Sequence, residues 1–130
     1  MKVVLFLVIT AFLALSAGEA SAQGKVRVKF PAGAHGTTVR GTVRGFAYRD
    51  YLVRASEGQT IDLKLTSTAS PSVFVVFLPY MDNLEDAAEI DEFTGELPVT
   101  GDYVIRVLMM RSEARRKGSV SNYTLTISVR

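Results

Sequence analysis

Apolar residues recur at every second position over most of this chain. Tyr123, Leu125, Ile127 and Val129 alternate with Thr124, Thr126 and Ser128, and Ile61, Leu63 and Leu65 alternate with Asp62, Lys64 and Thr66. Tyr103, Ile105 and Val107 share one parity, and in Lys25 to Phe30 the apolar residues are interleaved with cations. A period of two, rather than 3.6, marks strands with one face on a core and one in water. Ser72 to Leu78 differs, being apolar on both parities, and reads as a central strand covered on both sides. Further strands are expected at Thr37 to Arg44 and Phe46 to Ala55. Turns fall at Glu57-Gly58-Gln59 and between Pro98 and Gly101. The expected architecture is all-β: an antiparallel β-sandwich of about seven or eight strands. Helix is confined to short turns, within Asn83 to Glu89 or Ser112 to Lys117.

The first residues read as an export signal. Lys2 supplies the positive start, Val3 to Leu15 an apolar run, and Ala20-Ser21-Ala22 a small-residue cleavage site. The run falls short of the ~20 residues that span a bilayer. Residues 1–22 are therefore expected to be removed, leaving 23–130 as a single sandwich domain with no membrane attachment. No cysteine follows the apolar run to accept a lipid, and none occurs anywhere in the chain. A small exported domain without disulfides suits a bacterial periplasm, as in a Gram-negative cell, better than an animal secretion.

Fifteen Lys and Arg against 13 Asp and Glu give a net charge of +2, too small a surplus for a nucleic-acid partner. Placement says more than the total. No Lys or Arg lies between Leu65 and Ile105, a stretch that holds Asp82, Glu85, Asp86, Glu89, Asp91, Glu92, Glu96 and Asp102. Arg106, Arg111, Arg115, Arg116 and Lys117 follow, interrupted by Glu113 alone. The chain thus has an acidic connector and a basic loop.

Enzyme chemistry finds little footing. His35 is the one histidine, in the loop-like Gly33-Ala34-His35-Gly36, and Gly-x-Ser-x-Gly is absent. No His or Cys pair has metal-ligand spacing. Asp82-Asn83-Leu84-Glu85-Asp86 offers oxygens for calcium but lacks the glycine and terminal glutamate spacing of an EF-hand. No catalytic residue, metal or cofactor is expected. The acidic connector reads as a solvated or ion-paired segment.

The basic loop joins a strand ending near Met110 to one starting near Ser121, and should tip a β-hairpin. One helical turn from Arg111 to Arg115 would put both guanidiniums on one side, with Glu113 turned away. Two such forks side by side suit carboxylates or sugar hydroxyls. The competing reading is that they pair with the chain's own acidic connector.

The order of residues adds a resemblance. Gly24 to Phe30, Gly41, Gly45-Phe46-Ala47-Tyr48-Arg49-Asp50-Tyr51, Ala55 to Gln59, Leu97-Pro98, Gly101-Asp102-Tyr103, Arg106 to Arg115, and Tyr123 follow in one register. In this the chain resembles the bacterial periplasmic inhibitors of g-type (goose-type) lysozyme, over nearly all of residues 23–130. Arg106-Val107-Leu108-Met109-Met110-Arg111-Ser112-Glu113-Ala114-Arg115 is the most specific block. The resemblance implies a sandwich that inserts a loop into the lysozyme cleft. It places Arg111 and Arg115 at the lysozyme contact with the aromatic at position 46 beside them. That aromatic is usually Tyr in the family and is Phe46 here; Tyr48, nominally on the same strand face, is a candidate substitute. Met110 and Ala114 are expected to pack the loop against the sandwich. The leading expectation is inhibition of a g-type lysozyme, protecting peptidoglycan. The alternatives are a carbohydrate- or peptidoglycan-binding sandwich without an enzyme target and a calcium-stabilised structural module.

Overall fold

The computed structural model describes residues 24–130, so the expected signal peptide at 1–22 lies outside the described residues. Among the described residues, nine strands form two sheets. They are β1 (Lys25–Arg27), β2 (Gly36–Arg44), β3 (Tyr48–Ala55), β4 (Thr60–Ala69), β5 (Val73–Phe77), β6 (Asn83–Ile90), β7 (Glu92–Glu96), β8 (Gly101–Leu108) and β9 (Val120–Val129). The first sheet runs β1-β3-β8-β5-β6 and the second β2-β9-β4-β7. Every pairing is antiparallel except β1 with β3.

The period of two becomes burial directly. Tyr123, Leu125, Ile127 and Val129 are buried on β9, and they face Tyr103, Ile105 and Val107 of β8 and Phe74 and Val76 of β5 across one shared core. Two tyrosines cross it: the Tyr51 and Tyr123 hydroxyls are hydrogen-bonded at 2.6 Å, their rings edge to face at 81°. Burial, then this bond, raises the Tyr123 phenol far above its ordinary value. The ring of Tyr123 lies directly over Gly41 on the neighbouring strand, where any Cβ would collide with it. Tyr103 pins the β7–β8 turn, its hydroxyl donating to the Val99 carbonyl at 2.6 Å.

Several expectations need correction. Asn83–Ile90 is not helical; it is the edge strand β6, because β5 offers it a ladder, although two register shifts and a positive φ of 57° at Glu89 interrupt the pairing. Tertiary pairing here overrides a helix-favouring composition. Strand β3 begins at Tyr48, not Phe46, because the chain turns at Gly45-Phe46. Strand β5 is fully buried on its inward face only; Val73, Val75 and Phe77 on the outward face are half-buried. Finally, β8 and β9 belong to different sheets, so the basic segment between them is an arch over one end of the sandwich and not a hairpin tip.

Candidate functional site

Three connections meet at that end: the arch from Met109 to Ser119, the β2–β3 turn, and the β4–β5 loop at Ser70 to Ser72. Local chemistry explains the arch. Met109 is buried and anchors its start. One helical turn, α1 (Arg111–Ala114), then follows, starting after Met110 in an extended conformation. Ala114 is the buried face of α1, and the other residues of the turn can then face outward. The Arg115 amide donates to the Arg111 carbonyl at 3.1 Å, an i to i+4 bond that stacks the two arginines one turn apart. Both side chains are exposed, as are Arg116 and Lys117. Glu113 is turned aside onto Arg116 at 3.7 Å.

Ser119 closes the arch. Its amide donates to the Arg116 carbonyl and its hydroxyl to the Ala114 carbonyl, at 3.1 and 3.0 Å. Its carbonyl accepts the Gly45 amide at 3.1 Å. Gly45 needs its positive φ of 55° to make the turn that the Ala47 amide closes onto the Arg44 carbonyl. Phe46 sits at the tip of this turn and is 66% exposed, the most exposed large apolar side chain among the described residues. The fold therefore brings Phe46 beside the arch that carries Arg111 and Arg115.

Tyr48 lies elsewhere. It pairs in register with Leu108, the last strand residue before the arch. Its ring, however, lies on the outward face of the first sheet, 4.0 Å from the Arg106 guanidinium, which also stands 5.1 Å from Phe77. Arg106 in turn grips Asp50 with two bonds, at 2.8 and 3.0 Å, and the Asp50 carboxylate is 2% exposed. The hydrogen bonds that Arg106 donates to the Asp50 carboxylate raise the Arg106 pKa. Tyr48 therefore does not share a strand face with Phe46, which is in a turn. Met110 is also misplaced as a packing residue: it is 43% exposed, and Met109 holds the core position.

Among the described residues, the ion pairs are Arg27 and Arg54 with Asp102, Arg106 with Asp50, Arg116 with Glu113, and Arg130 with Asp62. None of these joins the acidic segment to Arg111 or Arg115. Five of the acidic residues, Glu85, Asp86, Glu89, Glu92 and Glu96, sit instead on β6 and β7, the edge strands of the two sheets, where charge discourages strand-on-strand association. The Ser119 and Gly45 clamp had no signal in the sequence beyond the glycine itself. Arg106 and Asp50 were visible only as strand residues of opposite charge.

This end of the β-sandwich gathers an exposed aromatic on the β2–β3 turn with an exposed methionine and four exposed cations on the arch. No protein-family model matches the chain. The chain is 31% identical to the periplasmic inhibitor of g-type lysozyme from Aeromonas hydrophila, whose crystal structure it matches at a TM-score of 0.71, covering 82% of this chain and 96% of that one. The corresponding inhibitor of Salmonella Typhimurium matches at 26% identity and a TM-score of 0.66, over 82% and 97%. The inhibitor of g-type lysozyme of Escherichia coli is 28% identical over 127 residues, 91% of each chain. The pre-peptidase C-terminal domain of a Bacillus anthracis collagenase shares the fold alone, at 15% identity and a TM-score of 0.51. The chain belongs to the family of periplasmic inhibitors of g-type lysozyme.

Proposed function

We propose that this chain is a periplasmic inhibitor of g-type lysozyme, exported by a signal that is removed at residues 1–22, and that it blocks the enzyme by inserting its Arg111–Lys117 arch into the active cleft. Its relatives are inhibitors and not enzymes. The observation that carries the mode of action is the joining of Arg111, Arg115 and Phe46 at one end of the sandwich by the Gly45–Ser119 bond. A lysozyme requires a carboxylic acid in its cleft. A guanidinium inserted there pairs with that acid through two charge-assisted bonds and occupies the place of the sugar. Because the arch is already folded and tied down, little ordering free energy is spent on docking. Phe46 supplies the apolar contact that anchors the rim, the role aromatic residues take in protein interfaces.

The test is a titration of protein recovered from the periplasm of expressing cells against g-, c- and i-type lysozymes on cell-wall substrate. The g-type enzyme is expected to be slowed at micromolar protein. If no lysozyme of any type is slowed, the inhibitor reading is wrong.

A further inference from the structure

On the outward face of the second sheet, polar side chains stand in register across three strands. Arg40, Thr124 and Thr66 form one rung, and Thr42, Asn122 and Thr68 the next. These six side chains line a shallow trough of about 400 Å³, a volume within the ~300–1,000 Å³ usual for small-ligand sites. Farther along the same face the charges are matched: Asp62 is paired with Arg130 at 2.9 Å, and Lys64 stands opposite Glu92 in the ladder. The trough differs. Its rungs carry hydroxyls, one amide and a single charge, Arg40, which has no ion pair among the described residues. Thr42 donates to the Asn122 carbonyl oxygen at 2.8 Å, which leaves the Asn122 amide hydrogens for another acceptor.

The spacing and chemistry select a ligand. Neighbouring strands lie ~4.8 Å apart and like-facing residues ~6.8 Å apart along a strand, so donors and acceptors repeat in two directions over a flat floor. Gly41, Ser67 and Tyr123 complete the lining; Tyr123 is buried with its ring in the core, so the polar groups the trough offers are hydroxyls, one amide and one guanidinium. A chain of sugar rings presents hydroxyls and acyl amides at comparable intervals, and a carboxylate on it meets Arg40 as a forked donor. The upper rung also adjoins the functional end: Thr42 lies two residues before Arg44, Asn122 two after Val120, and Ser70, just past Thr68, donates to the Val120 carbonyl at 3.0 Å. We infer that the trough lined by Arg40, Thr42, Thr66, Thr68, Asn122 and Thr124 binds a carboxylate-bearing glycan strand, and does so without any enzyme present. This site goes beyond the inhibitory arch and does not depend on it. It would hold the protein on the polymer that a lysozyme attacks.

The experiment is co-sedimentation of the full chain's exported product with purified peptidoglycan sacculi, at about physiological salt to screen loose cation binding. The parent protein is expected in the pellet with no lysozyme added. Arg40→Ala, and separately Thr66→Val with Thr124→Val, should each weaken sedimentation about tenfold, the usual effect of losing a charged or several neutral hydrogen bonds. Valine keeps the β-branched shape at these surface strand positions, and inhibition of g-type lysozyme on a small soluble substrate should be unchanged in both variants. Protein that stays in the supernatant, or pellets equally as parent and variants, overturns the proposal. So does an amide NMR titration in which a soluble peptidoglycan fragment carrying the muramic-acid carboxylate shifts resonances on the arch and none on the trough. The sedimentation arm contains no enzyme and the inhibition arm no insoluble wall, so failure of either reading is recognised separately.

Discussion

The amide of Gly45 donates to the carbonyl of Ser119 at 3.1 Å, and through this bond the turn bearing Phe46 and the arch bearing Arg111 and Arg115 become one surface. Neither residue is expected to touch the enzyme. Their effect is to remove the loop freedom that docking would otherwise have to freeze.

Ser119→Ala deletes the hydroxyl that bonds Ala114 and leaves both backbone bonds of residue 119 in place. Stability should fall by only about 0.5–1.5 kcal/mol. Inhibition should weaken several-fold, while Ser119→Thr, which keeps the hydroxyl, should restore it. Paired thermal melts and inhibition constants check this. Unchanged inhibition by Ser119→Ala would show that the bond from this hydroxyl to Ala114 does not position the arch.

Phe46 is 66% exposed, so Phe46→Ala should alter stability by no more than about 0.5 kcal/mol. Inhibition should nevertheless fall about tenfold or more, as for an aromatic anchor at an interface. Phe46→Tyr keeps the ring and adds a hydroxyl, and should inhibit at least as well as the parent. An alanine variant equal to the parent in inhibition would move the aromatic contact elsewhere.

Removing Arg106 tests the outward face of the first sheet. Arg106→Met strands the Asp50 carboxylate, which is 2% exposed, and breaking such a buried pair costs about 3–5 kcal/mol. Arg106 is itself 27% exposed, which favours the lower end of that range. Adding Asp50→Asn should recover part of the loss, because the uncompensated charge goes with it. Urea denaturation of the single and double variants measures both.

Alkaline pH should unfold the protein through Tyr123. Its pKa is raised in the fold, by burial first and by the Tyr51 hydrogen bond second, whereas the unfolded chain ionises near the ordinary value of 10.0. A raised folded pKa gives stability that is whole below the unfolded value and is lost as pH climbs from there toward the folded one. Stability should therefore decline above about pH 10, and Tyr123→Phe should flatten that decline. It should also cost about 1–3 kcal/mol at neutral pH by leaving the buried Tyr51 hydroxyl unpartnered. A parent and a Tyr123→Phe variant with parallel alkaline profiles would rule this out.

How much of this was legible in the sequence depended on whether local pattern or long-range pairing decided the outcome. The strands of the core were legible because one buried face imposes a period of two, as in Tyr123 to Val129. The arch residues were legible too, since the Arg111 to Arg115 spacing needs only one local turn. Which sheet each strand joins was not: β8 and β9 follow one another, yet the core between the sheets separates them, and that turned an expected hairpin into an arch. Asn83–Ile90 misled because an acidic, alanine-containing run satisfies a helix locally and becomes a strand only through β5. Tyr48 was assigned to the face of Phe46 by parity, which fails once Gly45 turns the chain.

The most direct test of the account is the inhibition constant for a g-type lysozyme of the Arg111→Ala, Arg115→Ala double variant, measured beside its melting curve. Both side chains are exposed in the free protein, so the melting curve should match the parent's. Inhibition should fall about thirtyfold or more, the loss expected when about 2–5 kcal/mol of buried charge pairing is removed. A variant that melts normally and inhibits as well as the parent would contradict the arch as the inhibitory element.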